Sequence, residues 1–121
     1  MPQYKRLPDF STADAEVPTL QFREGNLVVE FKDWQEKHVR ITFPDTVAFS
    51  WGDEPVVPDS VRDDSCYEVQ DSDWVGKLVE QGASLDPRLY RHYLLCFNAC
   101  NSKLAVVSLH MVIAAEQPSP C

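Results

Sequence analysis

Residues 89–108, LYRHYLLCFNACNSKLAVVS, decide the fold. Tyr90, His92, Leu94 and Cys96 alternate with Arg91, Tyr93, Leu95 and Phe97, the two-residue period of a β-strand. After the turn ACNSK (99–103), Ala105, Val107, Leu109, Met111 and Ile113 share one face of the next strand. Leu104, Val106, Ser108, His110 and Val112 share the other. Both faces are mainly apolar, as expected of a central hairpin covered on each side, with a helix on one of them. The run LAVVSLHMVIAA (104–115) reads as one core strand, with His92 and His110 half-exposed near strand ends.

The segments before this hairpin alternate with one wet face. Leu20 and Phe22, then Leu27, Val29 and Phe31, then Val39, Ile41 and Phe43 point one way. Between them, EGN (24–26) and DWQEK (33–37) make turns, the first with a glycine free to take positive φ. Glu30 or Lys32 faces Arg40 across strands on the wet face. Pro44 closes the third strand, and Val47, Phe49 and Trp51 restart the same pattern as a further strand of the meander. Residues 1–18 carry Pro2, Pro8 and Pro18 without periodicity and read as an irregular arm, laid on the sheet through Tyr4, Leu7 and Phe10. CYEV (66–69) is a short strand. In DSDWVGKLVEQG (71–82), Asp71 or Ser72 caps a helix, Trp74, Val75, Leu78 and Val79 form its apolar stripe, and Gly82 ends it. The expected fold is α+β: a mostly antiparallel sheet of six to seven strands, an N-terminal meander plus a C-terminal hairpin, with one main helix near 72–82 packed on it. It forms a single domain over 1–121, with the arm at 1–18, an acidic loop at 52–65 and a tail at 115–121.

Length and composition agree. A chain of 121 residues with 44% hydrophobic content builds one core. No apolar run approaches the ~20 residues of a spanning helix, and MPQYKRLPDF lacks the apolar region of a secretory leader. Cys66, Cys96, Cys100 and Cys121 have no framework spacing, so reduced thiols in a cytoplasmic protein are expected.

The polar residues of the hairpin do not assemble into chemistry. His92 and Cys96 share a strand face about 13 Å apart, too far for one tetrahedral metal, and Cys100 and His110 add no C-x-x-C spacing. Cys96 on a central strand has no neighbour to lower its pKa, and a buried thiol is the simpler reading. DSD at 71–73 is a helix cap before it is a metal-binding D-x-D. Residues 52–65 lack the order of an EF-hand, although Asp59, Asp63 and Asp64 offer loose calcium ligands, and no phosphate-cradling glycine motif occurs. No catalytic residue, cofactor or metal is expected.

The charge is more informative. The net charge is −8, and residues 45–73 hold nine acids against one base, Arg62, so the remainder of the chain sums to zero. Such a field repels nucleic acid and suits a basic protein partner. The acids adjoin aromatics, Trp51 before the loop and Tyr67 and Trp74 after it, a combination in which charge steers encounter and rings supply affinity. The alternative is a solvated loop that aids solubility.

YEVQDSDW (67–74), YRHYLLCFN (90–98) and the apolar strand that follows resemble small acidic bacterial α+β proteins, of the immunity type found in polymorphic-toxin and contact-dependent inhibition systems. The resemblance spans residues 67–112 and has no diagnostic motif. It implies a cytoplasmic, non-enzymatic protein that neutralises a basic toxin, and no catalytic residues. Under it Asp53, Glu54, Asp59, Asp63, Asp64 and Asp71 face the partner, with Trp51 and Trp74 as anchors. Two other readings stand beside it: an assembly protein that forms a homodimer through a sheet edge, and a small-molecule binder or enzyme using His92, His110 and Tyr93.

Overall fold

The central hairpin forms as the alternation demands. Strand β7 (Arg91–Phe97) pairs antiparallel with β8 (Ser102–Ser108), joined by a short 3-10 turn at Asn98–Cys100 and by Asn101 in the left-handed region. From His92 to Phe97 every residue of β7 is buried, so both faces of the pair are covered. The computed structural model describes residues 3–7, 10–52, 61–62, 64–82, 86 and 88–116. Within them the remaining strands are β1 (Gln3–Arg6), β2 (Thr19–Arg23), β3 (Asn26–Lys32), β4 (His38–Phe43), β5 (Ala48–Gly52), β6 (Cys66–Gln70) and β9 (Val112–Glu116), with one helix, α1 (Asp73–Glu80).

These strands make two antiparallel sheets instead of one. The first has the order β1-β6-β7-β8-β5 and the second β2-β3-β4-β9. Their inner faces meet in one core of Leu27, Val29, Phe31, Val39, Ile41 and Phe43 against Cys66, Tyr93, Leu95, Phe97, Leu104 and Val106. Phe97 is the contact point: its ring lies edge-on to Phe31 at 5.2 Å and to Trp51 at 5.7 Å. On the outer face of the larger sheet Leu94, Cys96 and Ala105 are covered by Val61, Tyr67 and Val69, with Tyr4 and Trp74 packed against them.

The meander is as read through β4. Glu24 and Gly25, both at positive φ, form a two-residue hairpin turn between Arg23 and Asn26, and Asp33 Oδ1 accepts from the amides of Gln35 and Lys37 in the next turn. Glu30 stands opposite Arg40 on the wet face, 3.5 Å apart, and accepts from His38 at 3.1 Å. The helix begins at the cap Ser72, whose Oγ accepts from the Val75 amide, and ends before Gly82 at φ 90°.

Several expectations are corrected. The strand count is nine among the described residues, in two layers. Gln3–Arg6 is not irregular: its backbone pairs with β6, and too few residues are involved for a period to show. The rest of the arm crosses the end of the sandwich, burying Thr12 and Ala15. Strand β5 does not continue the meander but joins β8 in the other sheet. The run 104–115 is two strands, not one. Ser108 Oγ donates to the His110 carbonyl, and the chain leaves one sheet there to enter the other as β9 beside β4. The expected tail therefore starts inside β9, which reaches Glu116. His92 is buried, because it lies under α1, while His110 is exposed.

Phe97 joins both sheets, so Phe97→Ala is expected to cost about 3–5 kcal/mol in urea denaturation. Val79→Ala, on the exposed side of α1, should stay within ~0.5 kcal/mol.

Candidate functional site

Three places in the fold gather side chains with chemical or binding potential. The first is an apolar edge. Strand β5 borders the larger sheet and β2 borders the smaller one. The two lie side by side, since the Phe22 and Phe49 rings are 5.5 Å apart. Phe49 and Trp51 stand opposite Val106 and Leu104, on the inner face, but nothing beyond β5 covers them among the described residues. Phe22, Phe49 and Trp51 remain 51%, 40% and 39% exposed, and Val47, just before β5, is 38% exposed. Directly after Gly52 the chain continues into Asp53 and Glu54.

The second is a cleft of about 470 Å³ between α1 and the start of β7, lined by Glu68, Asp71, Ser72, Tyr90, Arg91 and His92 among others. His92 Nδ1 and Ser72 Oγ share a 2.7 Å hydrogen bond, and the Trp74 ring lies edge-on to the imidazole at 5.1 Å. The other ring nitrogen, Nε2, is buried without a partner. Burial pushes the His92 pKa from 6.5 down to about 4, so the ring is neutral at ordinary pH. Arg91 at the mouth is held by Glu68 at 3.0 Å, which raises its pKa further. A serine bonded to an imidazole has the outline of a nucleophile and base, but this hydroxyl already serves as the helix cap and this imidazole is a poor proton acceptor.

The third is a cleft of about 510 Å³ where the arm meets the 33–37 turn, lined by Arg6, Phe10, Trp34, Lys37, Asp64 and Cys66 among others. Trp34 is 60% exposed at its rim. Cys66 is no nucleophile: burial pushes its pKa up to about 12, against the lowering effect of the Thr12 hydroxyl 3.4 Å away. Cys66 and Cys100 are free thiols, and no three His, Cys, Asp or Glu side chains among the described residues come together as metal ligands.

Among the described residues, the two sequence-derived anchors Trp51 and Trp74 do not share a face. Trp51 lies on the inner face of the larger sheet beside Phe97, and Trp74 lies on the outer face beside His92. Along β7 those two contact points are five residues apart, about 17 Å at strand rise. Asp64 is turned into its own loop: it accepts from Arg62 Nε at 3.1 Å and Ser65 Oγ at 3.2 Å, and the guanidinium holds its carboxyl below the usual range. Asp71 sits in the turn into α1 with φ 54°. Asp53, Glu54, Asp59 and Asp63 lie outside the described residues. His92, Tyr93 and His110 do not converge either. Tyr93 faces the inner core beside Phe43, His92 the outer face, and His110 solvent. The edge partners of Trp51, Phe22 and Phe49, carry no sequence signal as a site. Their alternation is that of any inward residue, and only the strand order leaves them half-covered.

Comparison with known protein families, curated proteins and solved structures found no match to the chain.

The His92 environment has a measurable consequence. Between pH 6.5 and about 4 the unfolded chain binds a proton at this residue and the folded chain does not, so its contribution to stability is complete above that window and lost as pH falls through it. Against His92→Gln as reference, native protein should lose up to about 3 kcal/mol across the window, followed by urea midpoints as a function of pH. Parallel curves for the two proteins would show that the histidine is not buried as described.

Proposed function

We propose that this chain is a non-enzymatic protein-binding module that captures a basic protein, in the manner of the immunity proteins that neutralise toxins. The observation that carries this reading is the half-exposed edge of Phe22, Phe49 and Trp51 running directly into an acidic segment. Aromatic rings with one face packed and one face open are preorganised anchors, losing little entropy when a partner covers them. The negative field beside them speeds encounter with a basic surface and rejects acidic ones.

Among the described residues four acids are paired with an arginine. Glu30 lies beside Arg40, Asp64 beside Arg62, Asp86 beside Arg88 and Glu68 beside Arg91. Between residues 53 and 63 the sequence holds Asp53, Glu54, Asp59 and Asp63 with Arg62 as the one base. The excess of negative charge in the sequence is therefore concentrated in the stretch after β5. Trp74, packed against His92 on the other side of the sheet, is a structural residue in this reading and Trp51 is the anchor.

Affinity capture from the host lysate tests the reading. One basic protein should be retained at low salt and depleted at ~0.5 M, where screening contracts to a few ångströms. Asp53→Lys with Glu54→Lys should slow its association roughly tenfold or more. Trp51→Ala should cost about 2 kcal/mol of affinity. Trp74→Ala is the comparison and should leave capture unchanged wherever the variant is folded. Equal capture by all three variants, or a retained protein that is acidic, would reject the proposal.

A further inference from the structure

We infer that the partner docks as an additional β-strand, an extended basic segment hydrogen-bonded along the free side of β5; this rests on the protein-binding reading and specifies how the partner binds. Among the described residues the two sheets have four edge strands, β1, β5, β2 and β9. Edge strands are ordinarily guarded against pairing by charged residues or proline. Strand β1 (QYKR) has Lys5 and Arg6, β2 (TLQFR) has Arg23, and β9 (VIAAE) has Glu116. Strand β5 reads AFSWG and has neither a charge nor a proline. It is the unguarded edge, and also the one whose side chains are aromatic.

Its backbone points the right way. The Val47 amide donates to the Val107 carbonyl at 2.8 Å, and the Leu109 amide donates to the Pro44 carbonyl at 3.3 Å. Odd-numbered positions of β8 thus turn their polar groups toward the β5 side. Their register partners Ala48, Ser50 and Gly52 take up those bonds. The alternation of an antiparallel ladder then leaves the N–H and C=O of Phe49 and Trp51 on the free side, two donors and two acceptors along about 7 Å of strand. No described residue pairs with them.

The same geometry sets the chemistry of the occupant. In an added strand, every second side chain would lie beside Phe49 and Trp51 and extend the cover over Phe22, so those positions are apolar. The intervening side chains lie beside Ala48 and Ser50 on the outer face. The net charge of −8 and the acids that follow Gly52 in sequence favour lysine or arginine at those positions. A second copy of this chain is disfavoured, since it brings a net charge of −8 against an equal charge.

The first measurements leave the protein unaltered. The probe is a synthetic peptide of about ten residues, alternating lysine with valine, titrated into full-length protein while backbone amide exchange is followed by NMR; that length exceeds β5 on both sides. Exchange should slow at Phe49 and Trp51 and remain unchanged at the amides of the β1, β2 and β9 edges. Two further peptides carry N-methyl groups on one or the other alternate set of residues. Methylating the set that faces β5 removes its donors and should weaken binding at least ~tenfold, while methylating the other set should not. Equal binding by the two methylated peptides, or binding with no protection at Phe49 and Trp51, overturns strand addition while leaving charge-driven capture standing. Failure of the unmethylated peptide to bind overturns it as well. Protection of the same amides without peptide, accompanied by a concentration-dependent mass, would identify a second copy as the occupant and reject a basic segment. Binding with full protection that Asp53→Lys and Glu54→Lys do not weaken would retain the docking mode and reject the acidic segment as its driving force.

Discussion

A strand pair that is apolar on both faces has to be covered twice, and most of this fold follows from meeting that demand at β7 and β8. Tyr93, Leu95, Phe97, Leu104 and Val106 require one apolar layer, and Leu94, Cys96 and Ala105 require another. The alternating segments before the hairpin have one apolar face each, which suits them to cover and not to be covered. They assemble into a second sheet against the inner side, where the rings of Phe31 and Phe97 lock the layers together. The outer side is closed by Val61, by the tyrosines of β1 and β6, whose rings meet edge-on at 6.2 Å, and by the base of a short helix.

That helix is held at few points. Its contacts with the sheet centre on β7, where Trp74 leans on the His92 ring and Ser72 bonds to it. The histidine thereby does two jobs at once, filling the outer layer and anchoring the helix cap. One nitrogen is left buried without a partner, an arrangement that costs roughly 1–3 kcal/mol. A carbon side chain would avoid that cost but would leave the cap hydroxyl without its second bond.

Much of this was legible in the sequence wherever a local period or a local chemical rule acts. The inward sets of β3 and β4, the turn at 24–26 and the two-faced hairpin follow from spacing and residue type. The same rules narrow the cap and the cross-strand pair to two candidates each, of which Ser72 and Glu30–Arg40 are the ones formed. What spacing does not encode is which sheet a strand joins. Phe49 alternates as Phe43 does, yet one lies at an open border and the other in the middle of the core. The sheet change at Ser108 is invisible for the same reason: the period continues through 104–115 although the chain has moved to another layer. The candidate site suffers most, since Trp51 and Trp74 flank one acidic stretch in sequence but stand on opposite faces of one sheet. Being at an edge is a property of strand order, and strand order is non-local.

The crossing of strands between layers also governs how the chain can reach this state. Strand β9 completes the smaller sheet by pairing Glu116 with His38, and β1 completes the larger one by pairing Gln3 with Gln70. Neither sheet can close until segments from distant parts of the chain have met. The β3–β4 and β7–β8 hairpins need only local contacts and can form early, but joining them requires closing long loops before any reward from burial arrives. Such topologies belong to the slow end of two-state folding, milliseconds to seconds. During that interval the uncharged β5 edge stands open before β8 has covered its other side, so its lack of guarding residues is a hazard in assembly.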